Sequence, residues 1–401
     1  MNVLIIGGGF AGVKLARNLA NDARFSVTLM SDRDHFEYHA ALYRSATGRS
    51  HLEVAVPLAE VFANSRVTVV QDTAVALDND GKTVMGSSGR AYPYDQLVLA
   101  MGVVTGFFNI PGLAEHALGF KSIAEADHLK EHLHAELGRG HVPETHYAIV
   151  GAGPSGVELA GELVLYLKQL RRAHGVTGRR FTVHLIEAAP RVLPTLPPDV
   201  SARVARRLAR LGVEVHTNLA VKGETANHLR LPDGRDIKTH LVIWTAGVTG
   251  HPVFKANAGF TIERGRAVKV GPDLAAAEDI YGRGDAAATR RAGWAQTALY
   301  DADYLAASLK ARLDGRQPKA YRPHQPIAAV PVGAHWCAVV RGSARVYGRP
   351  GWAIRRLLDR RLFYRLLPAK LARRSWLSGT QREESCPECA QAYGIKPTLA
   401  N

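Results

Sequence analysis

Three glycines near the start of the chain have the spacing of a turn that binds a dinucleotide, G-x-G-x-x-G, at Gly7, Gly9 and Gly12. The first glycine allows a tight turn, the second lets the backbone approach a pyrophosphate, and the third lets helix and strand pack closely. The flanking residues supply those elements, because residues 3–6 read as an apolar strand and residues 13–19 as a helix. The helix would present free N–H groups to the phosphates. An ordinary strand-to-helix turn is the alternative.

The same pattern occurs a second time, at Gly151, Gly153 and Gly156, between an apolar strand at residues 147–150 and a helix at residues 157–171. Two such turns predict two nucleotide-binding lobes. The lobes need not bind the same nucleotide. A flavin in one lobe and a nicotinamide in the other is the arrangement that lets a hydride pass between them.

Carboxylates follow the second predicted strand of each lobe, where the ribose of a dinucleotide would lie. In the first lobe this strand covers residues 26–30; Ser31 occupies the expected position, and we predict that the next residue, Asp32, binds the ribose. In the second lobe residues 182–186 lead into Glu187. A carboxylate accepts hydrogen bonds from a free ribose diol and repels a 2′-phosphate, so Glu187 favours NADH over NADPH.

Composition limits the class of protein. A chain of 401 residues predicts two domains and a small appendage, and 51 basic against 36 acidic side chains give a net charge of +15. That charge suggests an anionic membrane or nucleic acid as partner, or serves solubility alone. Three cysteines make no disulfide framework, which indicates a reducing compartment. No signal peptide is expected, and the longest uncharged run, residues 97–114, contains glycines and a proline that favour strand and loop over a membrane span.

In their order along the chain, these motifs resemble those of the pyridine nucleotide oxidoreductases that have two dinucleotide-binding domains and a glutathione-reductase-like fold. The resemblance is closest to the type II NADH:quinone dehydrogenases and covers residues 1–375. The residues that carry it are the two glycine turns, Leu42-Tyr43 before Ala46-Thr47-Gly48, Ile186-Glu187-Ala188-Ala189-Pro190-Arg191-Val192-Leu193-Pro194, Trp244-Thr245-Ala246-Gly247-Val248 and Gly284-Asp285.

The resemblance implies a bound FAD, with NADH as the hydride donor, and no metal. It places FAD against Gly7, Gly9, Phe10, Ala11, Gly12, Asp32, Gly102, Gly284 and Asp285, and NADH against Gly151, Gly153, Gly156, Glu187 and Gly247. The predicted catalytic residues are Glu158, beside the flavin and the nicotinamide, Gln296, at the quinone-facing edge of the ring, and Tyr300. The alternative for Glu158 is an ordinary helix carboxylate. Tyr300 and Asp301 stand where the family has two glutamines, and the hypothesis is that Tyr300 stacks on the quinone.

The predicted fold class is α/β, with two Rossmann-like dinucleotide-binding domains for FAD and NAD and a C-terminal basic helical segment that associates with membrane. The predicted domains are residues 1–114 and 249–320 for FAD, residues 115–248 for NADH, and residues 321–401 for a strand, the basic segment and a mobile tail. Residues 139–145 are the predicted linker into the NADH domain. Whether the chain forms a homodimer is left open.

The basic segment, residues 341–376, contains eleven Arg or Lys and one acid, Asp359, with aromatic residues interleaved. It resembles the membrane-surface helices that guide quinone to the flavin in type II dehydrogenases, and basic residues with interfacial aromatics suit anionic headgroups. This predicts a peripheral position on the cytoplasmic face of the cell membrane. A solvated charged face is the alternative; nucleic-acid binding is disfavoured because no recognition motif accompanies the charge.

Cys386 and Cys389 form a C-x-x-C near the C-terminus, which is typical of a redox pair or of half a zinc site. No second pair is present to complete four ligands, so a mobile tail is favoured. Cys337 is predicted to be a core residue. No cysteine lies near the first glycine turn, which excludes a redox disulfide from its usual place beside the flavin.

The predicted function is transfer of a hydride from NADH to FAD and then of two electrons to a membrane quinone, without proton pumping. Three alternatives remain. A soluble reductase of a ferredoxin or rubredoxin would explain Tyr300 and Asp301 but not the basic segment. A sulfide:quinone reductase needs cysteines near the flavin. A flavin-binding signalling or nucleic-acid-binding protein is the third.

Overall fold

A computed structural model of the chain describes residues 1–137, 145–176, 180–256, 260–263, 265 and 267–398. The first part of the chain alternates strands and helices around the first glycine turn. Its elements are β1 (Asn2–Ile6), α1 (Phe10–Ala20), β2 (Ser26–Ser31), β3 (His35–Glu37), α2 (Leu42–Ser45), β4 (Ala55–Pro57), α3 (Leu58–Phe62), β5 (Val67–Gln71), β6 (Ala74–Asp78), β7 (Thr83–Gly86), β8 (Ala91–Pro93), β9 (Gln96–Leu99), β10 (Val103–Thr105) and α4 (Leu113–His116).

The middle of the chain repeats this alternation around the second glycine turn. Its elements are β11 (Leu118–Gly119), α5 (Ile123–Ala135), β12 (His146–Val150), α6 (Pro154–Ala173), β13 (Thr182–Ile186), α7 (Pro198–Leu211), β14 (Val213–His216), β15 (Gly223–Thr225), β16 (His228–Arg230), β17 (Asp236–Lys238), β18 (Val242–Trp244) and β19 (Val248–Gly250). The predicted linker, residues 139–145, lies outside the described residues except for its last position.

The last part of the chain returns to the first sheet and then ends in helices. Its elements are α8 (Val253–Ala256), β20 (Ile262–Glu263), β21 (Ala267–Val268), β22 (Ala275–Ala277), β23 (Ile280–Gly282), α9 (Ala295–Leu313), β24 (Ala328–Pro331), β25 (Cys337–Arg341), β26 (Ala344–Tyr347), α10 (Gly348–Leu366), α11 (Ala369–Ser378) and α12 (Pro387–Tyr393). Within the described ranges, no helix is both long enough and apolar enough to cross a bilayer.

Two sheets organise the molecule. The first has the order β22-β23-β9-β1-β2-β5, in which β1 pairs in parallel with both β2 and β9. The second has the order β11-β18-β12-β13-β14 and is parallel throughout. In each sheet the glycine turn follows a central strand, where an open parallel sheet binds ligands beyond the carboxyl ends of its strands. The predicted α/β class with two such units is confirmed.

Both faces of each sheet are covered, which explains why these strands read as continuous apolar runs. In β1, Val3 and Ile5 pack toward α1 and α9, whereas Leu4 and Ile6 pack on the other face in the core that also includes β7 and β8 residues. In the second sheet, Ile149 packs against α6 and α7. The C-terminal segment joins both cores, since α10 packs in the first and β24 in the second.

One strand was predicted in the wrong sheet. Residues 67–77 and 82–92 read as strands of a small antiparallel unit, but β5 pairs in parallel with β2 at the edge of the first sheet, and only β6, β7 and β8 form the antiparallel unit. The reason is Asp72, between β5 and β6. Its carboxylate accepts hydrogen bonds from the hydroxyl groups of Ser87, Ser88 and Tyr92, and this contact divides the run into two strands.

Candidate active site

One cleft of about 880 Å³ lies between the first glycine turn, the first turns of α6 and α9, and helix α10. Ten of the predicted site residues line it: Gly7, Gly9, Phe10, Ala11, Asp32, Gly102, Glu158, Gly284, Asp285 and Gln296. Pro154 and Ser155, which open α6, line the same cleft. A single cavity therefore reaches both glycine turns, although they lie in different sheets.

The first glycine turn has the backbone that its sequence requires. Gly7 has φ +115°, and a Cβ atom there would overlap the backbone of Ala100, while a Cβ atom on Gly12 would overlap the carbonyl oxygen of Gly7. Gly9 differs, because an added Cβ atom would meet no atom within 4 Å. Helix α1 begins directly after Gly9 without a side-chain cap, so no side chain occupies its first N–H groups. The turn therefore fits a pyrophosphate, and Gly12, which does not line the cleft, acts through packing.

The second turn repeats this geometry. Gly151 has φ +104°, a Cβ atom on Gly156 would overlap the carbonyl oxygen of Gly151, and one on Gly153 would meet nothing within 4 Å. Helix α6 begins after Gly153 with proline at its first turn and no side-chain cap. Glu187 follows β13, and its carboxylate accepts hydrogen bonds from the backbone N–H groups of Ala152 (2.7 Å) and of Ala189 (2.9 Å). This fixes a negative charge beside the turn, where a ribose would lie.

The fifth predicted residue of the second site, Gly247, lies beside a loop. A Cβ atom on Gly247 would overlap the carbonyl oxygen of Gly106 and the ring of Phe108. The side chain of Phe108 is 63% exposed and sits on a left-handed backbone, φ 53°. Position 247 therefore requires glycine, because any side chain there would displace the exposed ring of Phe108 from the loop after β18.

Two carboxylates mark the ends of the first site. Strand β2 ends at the buried Ser31, whose hydroxyl oxygen accepts a hydrogen bond from the backbone N–H of Arg33 (3.2 Å). The side chain of Asp32 is 53% exposed and lines the cleft, so its carboxylate is accessible to a ligand there. Asp285 follows β23; it accepts a hydrogen bond from the backbone N–H of Gly293 (2.8 Å) and also lines the cleft.

Gln296 and Tyr300 are one helical turn apart on α9 but have different positions. The Gln296 amide makes two hydrogen bonds with the backbone of Ile327, at 3.0 and 3.1 Å, and lines the cleft. The Tyr300 ring stacks on His324, with centroids 5.1 Å apart, and lies outside the cleft. The Tyr300 ring therefore has an aromatic partner within the chain, and the hypothesis that it stacks on a quinone stays a prediction. Asp301 is buried and accepts a hydrogen bond from the hydroxyl of Tyr321 (2.6 Å).

Glu158 lies in the second turn of α6 and is 8% exposed. It forms an ion pair with Arg355 of α10, whose guanidinium nitrogen lies 3.4 Å from the carboxylate. Burial raises the pKa of Glu158 to about 7, and the nearby guanidinium groups of Arg355 and Arg44 only partly oppose this shift. A carboxyl group that exchanges its proton near neutral pH inside a cleft suits general acid–base work.

The charged residues that surround Glu158 were not predicted from the sequence. Asp359 accepts hydrogen bonds from Arg355 (2.9 Å) and from the hydroxyl of Tyr38 (2.8 Å), and Arg355 also donates to the carbonyl oxygen of Ala40 (2.7 Å). Arg355 and Asp359 both line the cleft. The spacing of i, i+4 between Arg355 and Asp359 could have indicated an ion pair on one helix face. The surrounding run of basic residues made a solvated surface an equally simple interpretation.

The tail was also predicted wrongly. Residues 387–393 form α12, which packs on α6, and Cys389 is 1% exposed. The two cysteines lie against His134, at the end of α5, and His174, at the end of α6. The tail is ordered because these side chains and the buried Glu384 anchor it. Cys337 is fully buried, as predicted.

Comparison with known proteins supports the architecture of this site. The family model for pyridine nucleotide-disulphide oxidoreductases matches residues 1–302. The type II NADH:quinone oxidoreductase Ndh of Mycobacterium tuberculosis is 31% identical over 348 residues, which cover 80% of this chain and 75% of that protein. The demethylphylloquinone reductase NdbB of Synechocystis is 30% identical over 343 residues, which cover 80% and 82% of the two chains.

Among solved structures, NDH2 of Plasmodium falciparum in complex with NADH superposes with a TM-score of 0.85 over 94% of this chain and 97% of that chain, at 17% identity. At that identity the similarity shows the fold alone. The family model and the sequence relatives show more, since they cover most of both chains. The chain belongs to the pyridine nucleotide-disulphide oxidoreductase family and, within it, to the type II NADH:quinone oxidoreductases.

Proposed function

We propose that this chain oxidises NADH with a bound FAD and passes the electron pair to a quinone, without moving protons across a membrane. The observation that carries the proposal is the shared cleft. It is lined from one side by Gly7 and Gly9 of the first glycine turn, and from the other lobe by Ser155 and Glu158. Two dinucleotides that extend from the two turns toward this cleft would bring their reactive ends together. Residues 1–114 and 249–320 would hold FAD, residues 115–248 would hold NADH, and residues 321–401 would cover the cleft and meet the membrane.

A flavin supplies the redox chemistry here, since it can accept a hydride from a nicotinamide and return an electron pair to a quinone. The protein contributes binding and orientation. The uncapped N-termini of α1 and α6 offer N–H groups to phosphates, and the open space at Gly9 and Gly153 lets phosphates approach the backbone. Asp32 and Glu187 provide carboxylates for the two riboses. Holding both reactants in one geometry removes most of the entropic barrier to transfer.

Reduction of a quinone also consumes two protons, and Glu158 is placed to supply one. Its pKa of about 7 leaves a proton on the carboxyl group in a large fraction of molecules at neutral pH. Arg355 lies within 3.4 Å and stabilises the carboxylate once the proton has left. Glu158 therefore acts as proton donor at the cleft, and water can return the proton between turnovers.

The outward face of α10 and α11 is suited to bind an anionic membrane surface, which we place on the cytoplasmic side. It exposes three large apolar side chains, with exposed fractions of 60% for Leu357, 42% for Tyr364 and 43% for Leu377. The exposed basic residues of the same two helices are Arg349, Arg360, Arg361, Lys370, Arg373 and Arg374. Apolar side chains that enter the headgroup region beside basic ones that contact anionic lipids are typical of interfacial helices. A quinone would then reach the cleft along α10.

The test is to mix the purified yellow protein with NADH without oxygen, follow the flavin absorbance, and then add a short-chain quinone. We expect rapid bleaching by NADH, slower bleaching by NADPH, and rapid recovery with the quinone. Bleaching without recovery would refute the quinone as acceptor and point to a protein acceptor. Bleaching by neither nucleotide would refute the whole proposal.

A further inference from the structure

Four side chains with metal-binding atoms converge at the C-terminal end of the molecule, away from the cleft. They are His134, His174, Cys386 and Cys389, and their ligand atoms all lie within 4.8 Å of one another. The Cys386 sulfur lies 3.3 Å from Nε2 of His174, and the Cys389 sulfur lies 3.5 Å from the same nitrogen and 3.9 Å from Nδ1 of His134. Both histidines direct a ring nitrogen toward the two thiols.

These distances match the edges of a tetrahedron around one ion. With zinc–sulfur bonds of about 2.3 Å and zinc–nitrogen bonds of about 2.0 Å, tetrahedral angles separate a sulfur from a nitrogen by about 3.5 Å. The three observed sulfur–nitrogen distances, 3.3, 3.5 and 3.9 Å, are close to this value. An iron–sulfur cluster fits less well, because it would hold the thiolates and the imidazoles on different iron atoms and further apart.

The second ring nitrogen of His134 also has polar partners, as is usual for metal-binding histidines in zinc proteins. Nε2 of His134 lies 2.9 Å from the hydroxyl of Tyr166 and 3.4 Å from the carboxylate of Glu384. Glu384 is fully buried and is itself held by the ammonium group of Lys130 at 3.3 Å. A carboxylate behind a metal-binding histidine fixes the ring and its tautomer, and such residues tune the affinity of the site.

The ligands come from three separate elements. His134 lies at the end of α5, His174 caps the end of α6, and the two cysteines lie at the start of α12. A metal would thus close a loop of more than two hundred residues between α6 and the tail. The tail carries the contacts that reach the first lobe, since Glu383 and Gln381 bond the backbone at residues 48–51. The metal would fasten this connection.

We propose that His134, His174, Cys386 and Cys389 bind one zinc ion in a tetrahedral Cys2His2 site that fastens the C-terminal segment to α5 and α6. Zinc is favoured over other divalent ions because two thiolates and two imidazoles in a tetrahedron are the ligand set that it prefers. All four positions belong to protein, so the site is structural. It is independent of the proposed reaction in the cleft.

The test measures metal in the full-length protein, purified without chelator, by mass spectrometry of its elements. We expect about one zinc per chain in the wild type and a loss of nearly all of it in Cys386→Ser and Cys389→Ser. Cys337→Ser is the matched control and should retain the zinc, because Cys337 is a buried cysteine in β25 and belongs to no such cluster among the described residues. Retained flavin colour shows that each variant has folded.

A second measurement uses the wild type alone, so that an unfolded variant cannot decide the result. Zinc is removed with a chelator and Co²⁺ is added, and tetrahedral thiolate coordination should produce an intense visible absorption that zinc abolishes. Substoichiometric zinc together with no such absorption would overturn the proposal. Zinc that persists in both cysteine variants would overturn it as well, and so would a disulfide between Cys386 and Cys389 in the protein as purified.

Discussion

The variant Glu158→Gln, which replaces the carboxyl group with an amide, tests the role of Glu158. The amide keeps the size of the side chain and can still accept a hydrogen bond from Arg355, which lies 3.4 Å away. It cannot carry an exchangeable acidic proton. If Glu158 donates a proton during quinone reduction, the variant should reduce quinone slowly while its reaction with NADH stays close to that of the wild type.

The size of the effect follows from the burial of Glu158. Burial raises its pKa from 4.5 to about 7, so ionisation in the cleft costs on the order of 3 kcal/mol more than in water. Because the pKa is raised, the proton is present below pH 7 and is lost above it. The wild-type rate of quinone reduction should therefore fall above pH 7 by about tenfold per pH unit when proton transfer limits the rate. Loss of a general acid lowers a rate by roughly 10²- to 10⁴-fold.

Stopped-flow recovery of flavin absorbance with a short-chain quinone, from pH 5.5 to 9, measures this step apart from hydride transfer. We expect an inflection near pH 7 in the wild type and a low, flat profile in Glu158→Gln. Glu162→Gln is the matched control, because Glu162 lies one turn further along α6, outside the cleft, and it should keep the inflection. An unchanged inflection in Glu158→Gln would refute the assignment of the proton to this carboxyl group.

Four further variants test the binding surfaces and the packing of the first glycine turn. Glu187→Arg should lower kcat/KM for NADH by roughly 10- to 100-fold, since a charge-assisted hydrogen bond is worth about 1.5–3 kcal/mol, and should improve the use of NADPH; steady-state kinetics with both nucleotides measures this. Gly12→Ala should lower the free energy of unfolding by about 1–3 kcal/mol because its Cβ atom overlaps the turn, whereas Gly9→Ala should fold normally and retain less FAD; thermal unfolding and flavin content separate the two. Leu357→Asp with Tyr364→Asp should abolish co-sedimentation with anionic vesicles; unchanged binding would place the membrane contact elsewhere.

The parallel strands could be predicted from sequence because their burial leaves a direct mark. Residues 3–6 and 147–150 read as apolar strands and form most of β1 and β12. Burial on both faces removes the alternation of polar residues, so the run stands out from its surroundings. The glycine turns are equally visible, because only glycine fits at Gly7 and at Gly151, where φ is +115° and +104°.

The partners of charged side chains could not be predicted in the same way, because the fold brings them from distant parts of the chain. His134 and His174 complete a site with Cys386 and Cys389, yet no local spacing connects the two histidines to each other or to the cysteines. Tyr300 shows the same limit. Its ring stacks on His324, which comes from the segment after α9, and nothing in the periodicity of α9 predicts that contact.

The basic segment shows how one helix can serve both sides of the site. Of the arginines in α10, Arg355 and Arg356 are 7% exposed and point inward, where they meet Glu158, Asp359 and Glu53. Burial opposes ionisation of Asp359, but the charges of Arg355 and Arg44 and the hydrogen bond from Tyr38 outweigh it and hold its pKa below the usual value.

Glu158 makes a longer contact with the same guanidinium group, at 3.4 Å, and burial prevails there. The difference between the two carboxyl groups therefore lies in how many donors α10 and its neighbours direct at each. Asp359 stays ionised and holds Arg355 in place, and Glu158 is left with a proton to exchange. Because the same helix exposes Leu357 and Tyr364 on its outer face, the element proposed to contact the membrane also supplies the guanidinium group that opposes the effect of burial on the pKa of Glu158.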